Sequence, residues 1–166
     1  MAEPIPSILD DQARNTIGAA LQATLVDLID LSLEAKQAHW NLVGRQFRDV
    51  HEHLDELVDV ARKYSDQVAE RAAAVGVPPD GRTATVAGQS GIPAFNEGWV
   101  KDRDVIRQIS ESVDVAVRRI RPRIQETETA DLVTQDLFIE ISRQLEQTRW
   151  MWQAQNAGYQ AEQPAR

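Results

Sequence analysis

HWNLVGRQFRDVHEHLDELVDVARKYSDQVAE, residues 39–70, is the stretch that decides how this chain folds. Between Gln46 and Val75, the residues Val50, Leu54, Leu57, Ala61, Tyr64, Val68 and Val75 form one stripe at 100° per residue. That periodicity predicts a long amphipathic helix with the stripe turned into a core. His51, Asp55, Asp66 and Glu70 occupy an arc of roughly 100° on nearly the opposite side. His51 and Asp55 are one turn apart, and so are Asp66 and Glu70. At 1.5 Å rise per residue, Asp55 and Asp66 lie roughly 16 Å apart, so the two pairs cannot share an ion within one helix. An antiparallel copy about a two-fold axis would bring His51 and Asp55 of one chain to Asp66 and Glu70 of the other. The spacing therefore points to a metal site completed only in an oligomer.

Blander readings stay open for each residue alone. Asp49, Glu52, Glu56 and Asp59 read as a solvated acidic face, and any one candidate carboxylate could be the same. Arg62 lies within the arc and offers ordinary ion pairs. His39 continues the apolar stripe of the preceding helix and reads equally as a buried structural histidine. His53 points to another side. Trp40 is either an aromatic packed at a helix end or an interceptor of oxidising equivalents beside His39; the other tryptophans read as packing residues.

The 166 residues, 42% of them hydrophobic, suffice for one domain with a sizeable core. With no cysteine, a metal must be held by nitrogen and oxygen, which suits iron, manganese or zinc better than copper(I). The net charge of -8, with lysine only at positions 36, 63 and 101, disfavours non-specific binding to phosphate backbones. Surplus carboxylate attracts cations, or simply keeps the protein soluble. The first residues lack a basic start before an apolar run, and no apolar run approaches about 20 residues. No signal peptide or membrane span is expected, and the expected location is the cytoplasm.

Four long helical patterns follow: about Asp11 to Val43, closed by Gly44; Gln46 to Val75, stopped by Gly76; one from near Trp99, which Pro122 should kink or end; and Thr129 to Asn156, capped by Thr129. Their apolar marks are Ile17, Leu21, Leu25, Leu28 and Ala35; then the stripe above; then Ile106, Ile109, Val113, Val117, Ile120 and Ile124; then Leu137, Ile141, Leu145 and Trp152. The connection from Pro78 to about Glu97 is long, and Pro93 to Trp99 is the expected short crossing helix. The expected fold is all-α: a ferritin-like four-helix bundle with a short helix in the long loop between helices 2 and 3. Residues 1–10 are expected to be a mobile N-terminal tail, 11–157 the bundle, and 158–166 a short C-terminal tail.

Lys36-Gln37-Ala38-His39-Trp40-Asn41, then Gly44, Phe47, Val50-His51-Glu52-His53-Leu54-Asp55, Asp66 and Ala69-Glu70-Arg71 resemble the Dps family, the mini-ferritins called DNA-binding proteins from starved cells. The likeness runs from about Ile17 to Trp152 and includes Thr129-Ala130-Asp131. It implies a hollow shell of twelve subunits with a ferroxidase site at the two-fold interface. His39, His51 and Asp55 match the ligands from one subunit, and Asp66 and Glu70 those from its mate. The implied cargo is iron, Fe²⁺ oxidised to Fe³⁺, with room for two ions per site and hydrogen peroxide or dioxygen as oxidant. The family admits iron through acidic three-fold pores near the start of the fourth helix, where Glu126, Glu128, Asp131 and Asp136 are candidates. The likeness also implies a bacterial cytoplasmic protein. A Glu-x-x-His pair, as in intrasubunit di-iron bundles, occurs nowhere in the chain.

Three functions compete. The first is a ferroxidase and iron store that limits oxidative stress. The second is a DNA-compacting protein, to which the acidic charge and a lysine-free start at residues 1–11 are unfavourable and the arginines at 118, 119, 121 and 123 favourable. The third is a helical shell whose interface carboxylates only form ion pairs.

Overall fold

The periodic apolar positions fold into four long antiparallel helices in the computed structural model, which describes residues 5–161, with side chains to 157. The chain runs α1 (Asp11–Asn41), β1 (Leu42–Val43), α2 (Phe47–Ala74), α3 (Thr83–Gln89), β2 (Val100–Lys101), α4 (Asp102–Thr127) and α5 (Leu132–Ala161). α1 packs on α2 and α4 on α5, and the pairs close through α1 on α4 and α2 on α5. The stripe of α2 is buried throughout, together with Ile17, Leu21, Leu28, Ile109, Ile120, Phe138 and Trp152 from the other helices. Each Val, Leu, Ile or Phe among them contributes roughly 1.5–3 kcal/mol. Of the expected tails, residues 1–4 and 162–166 lie outside the described residues.

The two-residue strands pair in parallel, Leu42 with Val100 and Val43 with Lys101. No alternation in the sequence announces them. The pairing forces the crossover between α2 and α4 to return along the bundle, and three polar side chains of α1 hold it there. Gln22 donates to Asp80 O at 2.8 Å and accepts from Asp80 N at 2.9 Å. Gly91 N donates to Asp27 Oδ1 at 3.0 Å, and Phe95 N donates to Glu34. Asp27 is 3% exposed and is the hub of a buried network: Arg123 Nη2 reaches it at 2.8 Å and Arg119 Nε at 2.9 Å.

Several local expectations are corrected. The short helix is Thr83–Gln89, not Pro93–Trp99. Asp80 organises its start, accepting from Arg82 N at 3.0 Å and Thr85 Oγ1 at 2.8 Å, while Pro93 and Gly98 (φ 75°) break the later stretch. α1 stops at Asn41 rather than Val43, and Gly44 is not its cap: at φ 146° it is the turn residue whose missing Cβ would collide with the Asp102 carboxylate. Gly76 does end α2, with Gly76 N donating to Ala73 O and Val77 N to Ala72 O, a Schellman closure. Pro122 does not end α4, which continues to Thr127 because buried Arg123 and Thr127 anchor its last turns. The cap of α5 is Asp131, not Thr129: its carboxylate accepts from Thr134 N at 3.0 Å. α1 is long and apolar enough by composition to cross a membrane, contrary to the expectation that no stretch is; most of that stretch is buried in the bundle, and Asp27 within it is ion-paired.

Candidate metal centre

The turn between α1 and α2 sets the site. Asp102, at the start of α4, accepts from Gln46 N at 2.8 Å and so clamps the residue before α2. This fixes the first turns of α2 against the last turn of α1. His39, His51 and Asp55 meet there, one ligand-capable atom from each lying within 4.8 Å of the others. The imidazoles of His39 and His51 stack with centroids 3.5 Å apart, and Phe47 stacks on His51 at 5.0 Å.

The two histidines orient each other. His39 Nδ1 lies 3.2 Å from His51 O, and His51 Nδ1 lies 3.3 Å from His39 O. A carbonyl only accepts, so each contact requires Nδ1–H and leaves Nε2 with its lone pair for a metal. His39 Nδ1 is also 3.2 Å from Asp55 Oδ1. Burial holds the His39 pKa below the usual imidazole value, against the pull of Asp55, and this keeps the ring neutral and able to ligate. Asp55 is held below the usual carboxylate range, first by Lys36, whose Nζ donates to Oδ1 at 2.5 Å. The sequence reading missed Lys36 as a neighbour of the site; only packing brings a residue of α1 against a carboxylate 19 positions away.

Asp66 and Glu70 are not in this cluster. Both are exposed on α2 further along, and neither has a hydrogen bond or ion pair among the described residues. Asp66 borders a groove of about 330 Å³ with Leu25 and Ile29 of α1. One chain thus holds three of the five expected ligands together and presents the other two elsewhere on the same helix.

Other candidates sort by their contacts. His53 stacks on Trp152 at 4.0 Å and meets Gln155 Oε1 at 3.1 Å, well apart from the ligands in role. Asp131 is withdrawn from the pore candidates, since Arg71 pairs with it at 2.5 Å and it caps α5; Glu126, Glu128 and Asp136 stay exposed. Trp40 is 65% exposed and therefore not a core aromatic. Trp99 and Trp150 are exposed too, so among the tryptophans only Trp152 packs inside.

A ferritin-like domain family matches residues 18–158, which makes this chain a ferritin-like four-helix protein. Among curated proteins it is 35% identical over 135 residues to DNA protection during starvation protein 2 of Deinococcus radiodurans, covering 81% of this chain and 56% of that one. It is 33% identical to the DNA protection during starvation protein of Mycolicibacterium smegmatis, covering 90% and 81%. Among solved structures, Dps from Microbacterium arborescens in the high iron form superposes with a TM-score of 0.87 at 32% identity, over 92% of this chain and 99% of that one. The chain belongs to the Dps family.

Proposed function

We propose that this chain is a ferroxidase and iron store whose catalytic site forms between two-fold-related copies. His39, His51 and Asp55 of one subunit bind Fe²⁺ together with the partner's Asp66 and the partner's Glu70. The observation that carries this reading is the cluster of His39 on α1 with His51 and Asp55 on α2, the latter two sharing an arc of α2 with two exposed carboxylates that have no partner among the described residues. Two ions bound between these groups each give up one electron, and hydrogen peroxide with two protons takes both to form two waters. Hard carboxylate oxygens favour Fe³⁺ over Fe²⁺ and so drive electron loss, while the imidazoles capture Fe²⁺. Iron entering the site displaces the Lys36 ammonium from Asp55. Ferric product then mineralises inside a closed shell, for which the family's twelve-subunit assembly is the expected form, in the cytoplasm. Removing iron and peroxide together is the way this chain protects DNA.

Direct DNA compaction is the weaker reading. The arginines that favoured it are already paired: Arg118 with Asp114 at 2.6 Å, Arg119 and Arg123 with Asp27, and Arg121 with Glu146 at 2.6 Å. A gel shift near physiological salt should show no retardation. The decisive test mixes the protein with ferrous salt and peroxide and follows ferric absorbance. The wild type should oxidise iron rapidly, the His51→Ala, Asp55→Ala double variant should not, and an inert wild type would leave only a structural shell.

A further inference from the structure

The face that carries the ligands also carries an apolar row. Ile29, Leu33 and Trp40 of α1 fall within about 40° of one another on the helix wheel. Leu33 is half exposed, and Trp40 is the most exposed large apolar side chain of α1. Toward the other end of the same face lies the groove of about 330 Å³, with Leu25, Ile29, Asp66, Ala69 and Pro79 among its walls.

The register of α1 against α2 locates both features about the two-fold axis. Lys36 stands opposite Asp55, and Ile29 lines the same groove as Asp66. A two-fold axis that exchanges Asp55 and Asp66 passes midway between them on α2, at Val60–Ala61. By the same register it passes α1 midway between Ile29 and Lys36, beside Leu33. Trp40 lies about 11 Å along α1 from that point. The axis carries it an equal distance to the other side, which is the level of Leu25. A chain cannot fill this groove with its own Trp40, since Leu25 and Trp40 are roughly 22 Å apart on one rigid helix.

We propose that Trp40 of each subunit seats in the groove formed by the partner's Leu25, the partner's Ile29 and the partner's Pro79, and that this indole fixes the register in which the two half-sites meet. The inference rests on the two-fold reading of the metal site. The occupant is a second copy, because the groove is continuous with the ligand face and the symmetry that completes the ligands delivers a flat aromatic side chain to it. Tryptophan is the residue type best suited to anchor such a contact, with large area and few rotatable bonds. Trp40 follows His39 directly, so seating the indole also places the ligand.

The chain has no cysteine, so engineered disulfides report the contact without background. A Trp40→Cys, Pro79→Cys variant and a Trp40→Cys, Ser65→Cys variant are exposed to oxidised glutathione. An Asp55→Cys, Asp66→Cys variant reports the two-fold pairing by itself. Covalent dimers are expected from the Asp55/Asp66 pair and from at least one of the Trp40 pairs. Dimers from the Asp55/Asp66 pair alone would overturn the Trp40 contact and leave the shared metal site standing. Dimers from none of them would overturn the two-fold reading and the contact with it. In sedimentation, Trp40→Ala should need at least tenfold more protein to pair, with helical content unchanged, and Trp40→Phe should recover most of the loss. Pairing unchanged in Trp40→Ala would also overturn the proposal.

Discussion

The α4–α5 surface and the α1–α2 face are both rich in charge, and they use it in opposite ways. On α4 and α5, Arg118 and Arg149 share Asp114 at 2.6 and 2.5 Å, and Arg121 pairs with Glu146, which also accepts from Ser142 Oγ at 2.8 Å. The groove there is roomy, about 710 Å³, but its ionic groups satisfy one another. On α1 and α2, Lys36 pairs with Asp55, yet the two histidines keep Nε2 available, and Asp66 and Glu70 have no partner among the described residues. Water solvates those carboxylates well enough for a single chain to tolerate them. What gives them meaning is their alignment with His51 and Asp55. The lesson is that unspent coordinating chemistry marks the site better than cavity volume does.

The sharpest way to break this contrast is to cut a satisfied pair. An Arg119→Ala, Arg123→Ala variant takes both guanidinium partners from buried Asp27 and should lower stability by about 3–5 kcal/mol, read by denaturant melts, with peroxide-driven iron oxidation per folded molecule unchanged. The next largest effect belongs to the site. The His51→Ala, Asp55→Ala variant and an Asp66→Ala, Glu70→Ala variant should each oxidise iron about 100-fold more slowly while melting near the wild-type temperature. Unfolded and refolded together, the two variants should regain about a quarter of wild-type activity, because half the pairs are mixed and each mixed pair rebuilds one of its two sites. No recovery would mean that each chain completes its own site.

Gly44→Ala tests the joint between the two regions. Positive φ and the collision with Asp102 should cost about 2 kcal/mol and slow oxidation by displacing His51 from His39. The smallest effect is on pH. Burial holds His39 below its usual value near 6.5, so the unfolded chain takes up a proton there that the folded chain refuses. Its share of stability is intact above about pH 6.5 and drains away as pH falls toward the lower folded value. Melting temperature should therefore be flat near neutrality and decline below it, and a His39→Gln variant should flatten part of that decline.

Much of the bundle was legible because helix faces are written locally. Val50 to Val75 on one stripe and His51 to Glu70 on the other need only the 100° turn of the backbone to be sorted. The failures share a cause. Nothing beside Thr83 says that Gln22, 58 residues before Asp80, will hold that aspartate where it organises a short helix, and nothing near Gly44 says that Asp102, 58 residues later, needs its open side. Thr129 looked like a cap until Asp131, pinned by Arg71, took the position.

By itself, then, the order of residues determined four amphipathic helices, the identity of the metal-capable groups and their division into two halves on one rod. Those follow from spacing, and spacing survives without a partner. Tertiary structure alone decided that Lys36 guards Asp55, that Asp27 gathers Arg119 and Arg123, and where the crossover folds its helix. The ion pairs among these join positions 19 to 96 residues apart, and their energy exists only once the chain has closed on itself.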